Sequence, residues 1–267
     1  MPDLPSWPLT LKRNEDTYME MKRCCLRYPY FSVKTQNGLS YGGSQTWCSS
    51  RTMQKYGCGV VAMGDVLLYM GIHRLSCSTD LQYGILREDG NLSYPRYERY
   101  LRKIRRRYLG IIPGFGVPGF LVPHAMNRYF RHYKMDFRAR WCISHEKLYS
   151  RIEESLARDL PVLLAVGQNI PFWRKHKLCL YRQENGLYFP AAEVKAHFVV
   201  VTGLENGYLQ ISSWGKEYYI SWQEFEKYVK KYSSFLVSNI CLITEKKASE
   251  KKKGKKDGFS GGEGGGL

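Results

Sequence analysis

Residues 57–71 read GCGVVAMGDVLLYMG, and this stretch decides the fold. Apolar residues occupy nearly every side of the helix it predicts from Cys58 to Gly71, so that helix has no wet face and must lie inside a domain. Its one charged residue, Asp65, reads as a carboxylate satisfied by buried partners. Cys58 stands where the helix opens, between Gly57 and Gly59, which leave room for another backbone beside the sulfur. Unpaired N–H groups and the helix dipole at that end favour a thiolate. Taken alone, a cysteine there reads equally as a small core residue.

Working outward, the first 50 or so residues are rich in Tyr, Gly and Ser, and SYGGSQTWCSSRTM reads as an irregular loop ahead of the helix. Helical patterns over Tyr94–Tyr108 and Pro118–Tyr133 flank the Gly/Pro loop GIIPGFGVPG, and a further one covers His145–Leu156. LPVLLAVGQN reads as a buried strand. After an insertion spanning Asn169–Ala196 comes HFVVVTGLENGYLQISSWGKEYYI, three strands with turns at Glu205-Asn206-Gly207 and Trp214-Gly215. Ser221 and Glu224 form a capping box for a helix through Lys231, and Phe235–Ile243 reads as a last strand. Helices first and strands later predict an α+β fold: a central buried helix packed on an antiparallel sheet. The expected organisation is an N-terminal extension over residues 1–40, one domain over 41–244 and a disordered Lys/Gly-rich tail over 245–267.

A chain of 267 residues with 43% hydrophobic and 14% aromatic content buries a core of its own, and a mean hydropathy of −0.43 gives it a polar surface. No apolar run approaches the roughly 20 residues of a membrane span. The opening MPDLPSWPLT has no signal-peptide pattern, so the expected compartment is the cytoplasm. The eight cysteines include no CxxC pair and are expected as reduced thiols; no metal or cofactor is expected. Residues 245–267 hold seven Lys against four acids, so most of the net charge of +17 belongs to the body. Its densest cluster, Arg102, Lys103, Arg105, Arg106 and Arg107, lies opposite Tyr97, Leu101, Ile104 and Tyr108 on one predicted helix and reads as a solvated face. Such a field also attracts acidic partners, whether nucleic acid, anionic membrane or acidic polypeptide, without specifying which.

A thiol nucleophile needs an imidazole to take and return its proton. His197, at the entrance of the strand HFVVVTG, offers one if the helix start faces the strand start. His73, His124, His132, His145 and His176 lack such a setting. Cys-Gly opening a central helix, then His197 with Val199, Val200, Thr202 and Gly203, then Ser213-Trp214-Gly215, resembles the papain-like cysteine peptidases, nearest their bacterial C39-like branch. The resemblance covers residues 45–243, with its motifs at the two ends. In papain-like enzymes the strand after the histidine ends in Asn-Ser-Trp-Gly, the Asn orienting the imidazole, and in C39-like proteins an Asp-Pro stands there. Here the text is Ser212-Ser213-Trp214-Gly215, which puts Ser212 in the orienting place and Ser213 in the next. The resemblance also implies a glutamine whose amide shares the oxyanion hole with the cysteine N–H. Gln54, four residues ahead of Cys58, is favoured by spacing, and Gln45, thirteen ahead, serves if the loop folds back.

The expected function is therefore hydrolysis of a peptide or isopeptide bond in a peptide or protein substrate. Cys58 acts as nucleophile, His197 as base and then acid, Ser212 as orienter, and Gln54 or Gln45 in the oxyanion hole. Transfer of the acyl group to an amine uses the same machinery. A catalytically silent basic binding module is the alternative from another class.

Overall fold

The computed structural model describes residues 23–82, 85, 91–142, 144, 146–167, 176–234 and 236–246. The expected tail beyond residue 246, His145, Phe235 and the first 22 residues of the expected extension lie outside them. The helices are α1 (Arg51–Tyr56), α2 (Cys58–His73), α3 (Tyr94–Arg107), α4 (Leu121–His132), α5 (Leu148–Ala157) and α6 (Trp222–Tyr232). The strands are β1 (Cys24–Cys25), β2 (Val33–Thr35), β3 (Gly38–Leu39), β4 (Leu92–Ser93), β5 (Phe137–Trp141), β6 (Val162–Val166), β7 (Leu178–Glu184), β8 (Leu187–Val194), β9 (His197–Glu205), β10 (Tyr208–Ser213), β11 (Lys216–Ser221) and β12 (Asn239–Glu245).

The result is a mixed α+β architecture. A nine-stranded sheet runs β5-β12-β6-β9-β10-β11-β7-β8, its strand pairs antiparallel among the described residues, and β1 continues the edge of β9 where β6 ends. A small sheet β3-β2-β4 stands apart. Helix α2 packs on β9 and β6, with α3 and α4 also against it, and every residue from Gly59 to Met70 is buried. That is what an all-round apolar helix demands, since burying one Val, Leu, Ile or Met side chain contributes about 1.5–3 kcal/mol. α3 shows the opposite economy: Tyr97, Tyr100, Leu101 and Ile104 are buried on one stripe while Arg99, Arg102, Arg106 and Arg107 stay exposed.

Residues ahead of position 41 enter this core. β1 pairs with β9 through Cys24↔Leu204, and Leu26, Tyr30, Phe31 and Val33 are buried. The stretch read as an insertion holds the hairpin β7–β8, closed at Glu184↔Leu187 by Asn185 (φ 51°) and Gly186 (φ 80°). Asn206 (φ 49°) with Gly207 (φ 76°), and Trp214 (φ 50°) with Gly215 (φ 72°), close the next two hairpins at the expected turns. Two successive positive φ values are the type I′ geometry that follows the twist of paired strands. Ser221 caps α6 by accepting from the Glu224 N–H at 3.4 Å.

Gly186 and Gly215 share a backbone conformation but not their surroundings. A Cβ at Gly186 meets nothing, whereas one at Gly215 collides with the Trp47 ring. Gly186→Ala is expected to cost only the backbone strain, about 1 kcal/mol. Gly215→Ala adds overpacking of about 1–3 kcal/mol, so its melting temperature falls further by several degrees. Equal melting of the two variants would show that Trp47 does not press on the turn.

Candidate active site

Helix α2 begins at Cys58 because Gly57, whose N–H bonds to the Met53 carbonyl at 2.8 Å, ends α1 and redirects the chain. β9 begins at His197. The two residues line one narrow cavity together with Gln45, Asp65, Ser212 and Ser213, and about 10 Å³ of it is open to the centre of a water molecule. Backbone groups of Phe198, Gly59 and Cys58 itself favour the charged form of the sulfur, which places the thiol at the mouth of β9. Cys58 and His197 also line a second, open cleft of about 770 Å³. Its walls include Lys55, Phe115, Phe120, Trp141, Lys195 and Leu236. The two residues thus stand between a narrow cavity of mixed lining and a wider, largely apolar cleft.

Burial decides the charge state. Packed atoms surround the Cys58 thiol, and desolvation raises its pKa despite the helix start and the backbone groups that oppose it. Desolvation lowers His197 to about 4. Burial thus opposes the expected thiolate, moving the Cys58 thiol up and the His197 imidazole down, each toward its neutral form.

The imidazole is held by a hydrogen bond and by a stacked ring. His197 Nε2 lies 2.8 Å from Ser213 Oγ, and the ring stacks on Trp214 with centroids 4.5 Å apart and planes 26° from parallel. With Nε2 so engaged, Nδ1 is the nitrogen left for a proton from sulfur. Ser212 is not the orienter, contrary to expectation: its hydroxyl donates to the Tyr41 carbonyl at 2.8 Å. Strand alternation explains the difference. Ser212 pairs with Val200, and cross-strand partners share a face. His197 is three residues from Val200 and so lies on the opposite face, the one that Ser213 shares.

The structure places the two glutamines differently. Gln45 is buried in the cavity, and its Nε2 donates to the Gln54 backbone carbonyl at 2.9 Å. Gln54 is exposed and its side-chain amide donates instead to the Cys48 carbonyl at 2.8 Å. Gln54 thus meets Gln45 through its main chain, while its own amide is turned to Cys48.

Gln45 is delivered by the loop of residues 40–44, which the motifs did not single out. Asp65 Oδ2 accepts from the Gly43 N–H at 2.9 Å, and Asp65 Oδ1 accepts from the Tyr97 hydroxyl at 2.5 Å. The Gly215 N–H donates to the Gly43 carbonyl at 2.8 Å, and Tyr41 N–H donates to the Gly215 carbonyl at 2.9 Å. A Cβ at Gly43 would overlap Tyr97, and Gly42 (φ 71°) would carry one into Ser212. Ser44 then caps a short 3-10 turn, Gln45–Trp47. All eight cysteines are free thiols, and among the described residues no group of three His, Cys, Asp or Glu is placed to hold a metal. No described helix is long and apolar enough to cross a membrane.

No family model matches the chain, and no curated protein matches it. Among solved structures it is similar to a candidate C39-like peptidase from Bacillus anthracis. The two are 17% identical, the match covers 85% of this chain and 100% of that one, and the TM-score is 0.44.

Burial raises Asp65 from 3.8 to about 7. A carboxyl whose folded pKa is raised binds protons more readily when folded, so its contribution to stability is complete below about pH 4 and declines as pH rises through about 7. Asp65→Asn removes that decline and keeps both contacts, its amide oxygen accepting from Gly43 and its N–H donating to the Tyr97 oxygen. The melting temperature of the variant minus that of the parent is therefore expected to rise between about pH 4 and 7. A flat difference would show that Asp65 does not titrate in this range.

Proposed function

We propose that the chain is a cysteine-type hydrolase of a papain-like fold, cleaving a peptide or isopeptide bond through an acyl-enzyme. The observation that carries this reading is the cavity shared by Cys58 and His197, with the imidazole held by Ser213 and Trp214 and with Gln45 beside them. The cysteine at a helix start, the histidine at a strand start and the Ser-Trp-Gly turn support it together, because packing alone does not require the combination.

In this reading Cys58 Sγ passes its proton to His197 Nδ1 as the sulfur attacks the substrate carbonyl carbon. Nε2–H then donates to Ser213 Oγ. The oxyanion is met by the Cys58 N–H, one of the four helix-start donors without an intrahelical acceptor, and by the second hydrogen of the Gln45 amide. The imidazolium gives its proton to the leaving amine, and water, deprotonated by the same ring, releases the acyl group. The apolar cleft beyond Cys58 receives the substrate, with Lys55 and Lys195 on its walls as partners for acidic groups. Attack by an amine in place of water would make the same site a transamidase.

Two measurements test the reading. In a peptide-library digest, Cys58→Ala abolishes cleavage. Gln45→Ala is expected to lower kcat by about 100-fold or more, the loss of one oxyanion donor, while Gln54→Ala leaves turnover within a few-fold. Cleavage by Cys58→Ala at the parent rate would overturn the proposal. Ser213→Ala should lower kcat about tenfold with KM little changed, because a mispositioned base weakens the transition state and not substrate binding. Equal effects of Ser213→Ala and Ser212→Ala would remove Ser213 from the site. Alkylation of Cys58 by iodoacetamide in the substrate-free protein is expected to be slow at pH 6. It accelerates as pH rises toward the raised thiol pKa, since the thiolate fraction grows about tenfold per unit below it.

A further inference from the structure

The C-terminal end of α3 is flanked by two basic concavities, neither of which is lined by Cys58 or His197. The first, of about 770 Å³, is lined by Arg107, Tyr108, Arg128, Arg131 and His132, with no carboxylate among them. The second, of about 600 Å³, carries Arg102, Arg105 and Arg106 on its wall, with Ser49, Ser50 and Glu98. Arg106 and Arg107 are neighbours in sequence, so the two concavities share one helix end. Glu98 is the one carboxylate among the described residues of the two linings. It accepts from the Ser49 N–H and hydroxyl at 2.7 and 2.6 Å and lies 3.8 Å from Arg102. Among the described residues, no carboxylate is paired with Arg105, Arg106, Arg107, Arg128 or Arg131.

The first concavity is also partly organised. Arg128 Nη2 donates to the Arg107 carbonyl at 2.6 Å, and its guanidinium lies over the Tyr108 ring, 6.0 Å from the centroid. A guanidinium has five N–H groups, so one is spent on fixing the fork and the others remain to bind. His132 stands edge-on to the same ring, with centroids 6.2 Å apart.

We propose that this pair of concavities binds the phosphate backbone of a nucleic-acid strand. Two adjacent anion sites call for a ligand whose anions repeat. Several arginines converging on one concavity suit phosphate, which accepts from several guanidinium groups at once, better than a carboxylate, whose single planar edge one fork satisfies. A bilayer fits less well: of the large apolar residues in the two linings, Tyr108, Leu101 and Met53 are buried, and Ile111 alone among the described ones is partly exposed, too little apolar surface to insert. The proposal stands independently of the hydrolase reading, since it uses none of that site's residues.

The test is fluorescence anisotropy of a labelled oligothymidylate with the full chain, over a salt series. Arg107→Gln/Arg128→Gln/Arg131→Gln is compared with Lys216→Gln/Lys227→Gln/Lys230→Gln, which removes the same charge elsewhere. The arginine variant is expected to bind about tenfold or more weakly and to lower the slope of log K against log salt by about 2, three phosphate contacts at roughly 0.7 each for a single strand. The lysine variant should bind within about twofold of the parent, as exposed charges away from the strand add only to the general field. Arg131→Gln alone, whose side chain forms no hydrogen bond or ion pair among the described residues, gives the same direction with no such partner removed. Equal losses in the arginine and lysine variants would overturn the proposal. So would displacement of the oligonucleotide by polyglutamate at equal charge, or binding to phosphatidylserine vesicles without binding to the oligonucleotide.

Discussion

The carboxyl of Asp65, buried two turns into α2, is the constraint on which the site depends. It takes one hydrogen bond from α3 through Tyr97 and one from the loop through the Gly43 N–H. Neither α2 nor the loop can shift without leaving a buried polar group unmade, which costs about 1–3 kcal/mol. The loop in turn reaches the β10–β11 turn through Gly43 and Gly215, and that turn holds Trp214 against His197. One side chain therefore ties α2 to the loop that carries Gln45 and, through that loop, to the turn that packs on His197.

The same burial that makes these contacts strong suppresses charge. Moving His197 from 6.5 to about 4 corresponds to roughly 3 kcal/mol against its protonated form. A helix dipole contributes about 0.3–1 kcal/mol to a nearby charge, and about 2 in favourable partly buried geometry. At Cys58, in the same cavity, desolvation outweighs the dipole, and the thiol rises where the helix start alone would have lowered it.

Much of the architecture was legible in the sequence because its signals were local. An all-apolar helix has only one place to go, and α2 starts at the expected residue and ends two beyond the expected Gly71. Asn206-Gly207 and Trp214-Gly215 marked their hairpins by turn chemistry. The β7–β8 hairpin carries the same Asn-Gly signal at Asn185-Gly186, and β5 alternates buried and exposed residues over Phe137–Trp141, so the sequence holds a signal for both beyond the expected elements. The site was less legible where it depended on tertiary geometry. Spacing along the chain favoured Gln54, but a folded-back loop bound by Asp65 decides for Gln45, and no count of residues contains that contact. Ser212 was a motif position; the face of the strand, which is period-two physics, selects Ser213.

That selection also bears on how the site would work. A carboxylate behind an imidazole stabilises imidazolium and raises its pKa, whereas a hydroxyl accepts from Nε2–H or donates to Nε2 with little preference between charge states. With Ser213 in that place His197 gains no countercharge, and its only resolved influence is desolvation. Proton transfer from a raised thiol to a weakened base is uphill in the empty site. Charge separation must then be matched by what appears only during reaction: the oxyanion under the Gln45 amide and the Cys58 N–H, close to the imidazolium formed in the same step. Stabilisation confined to that moment is the kind that accelerates chemistry without tightening substrate binding. In the proposed hydrolase reading, such a site would react with a carbonyl seated in its cleft and stay quiet toward electrophiles that bring no developing oxyanion with them.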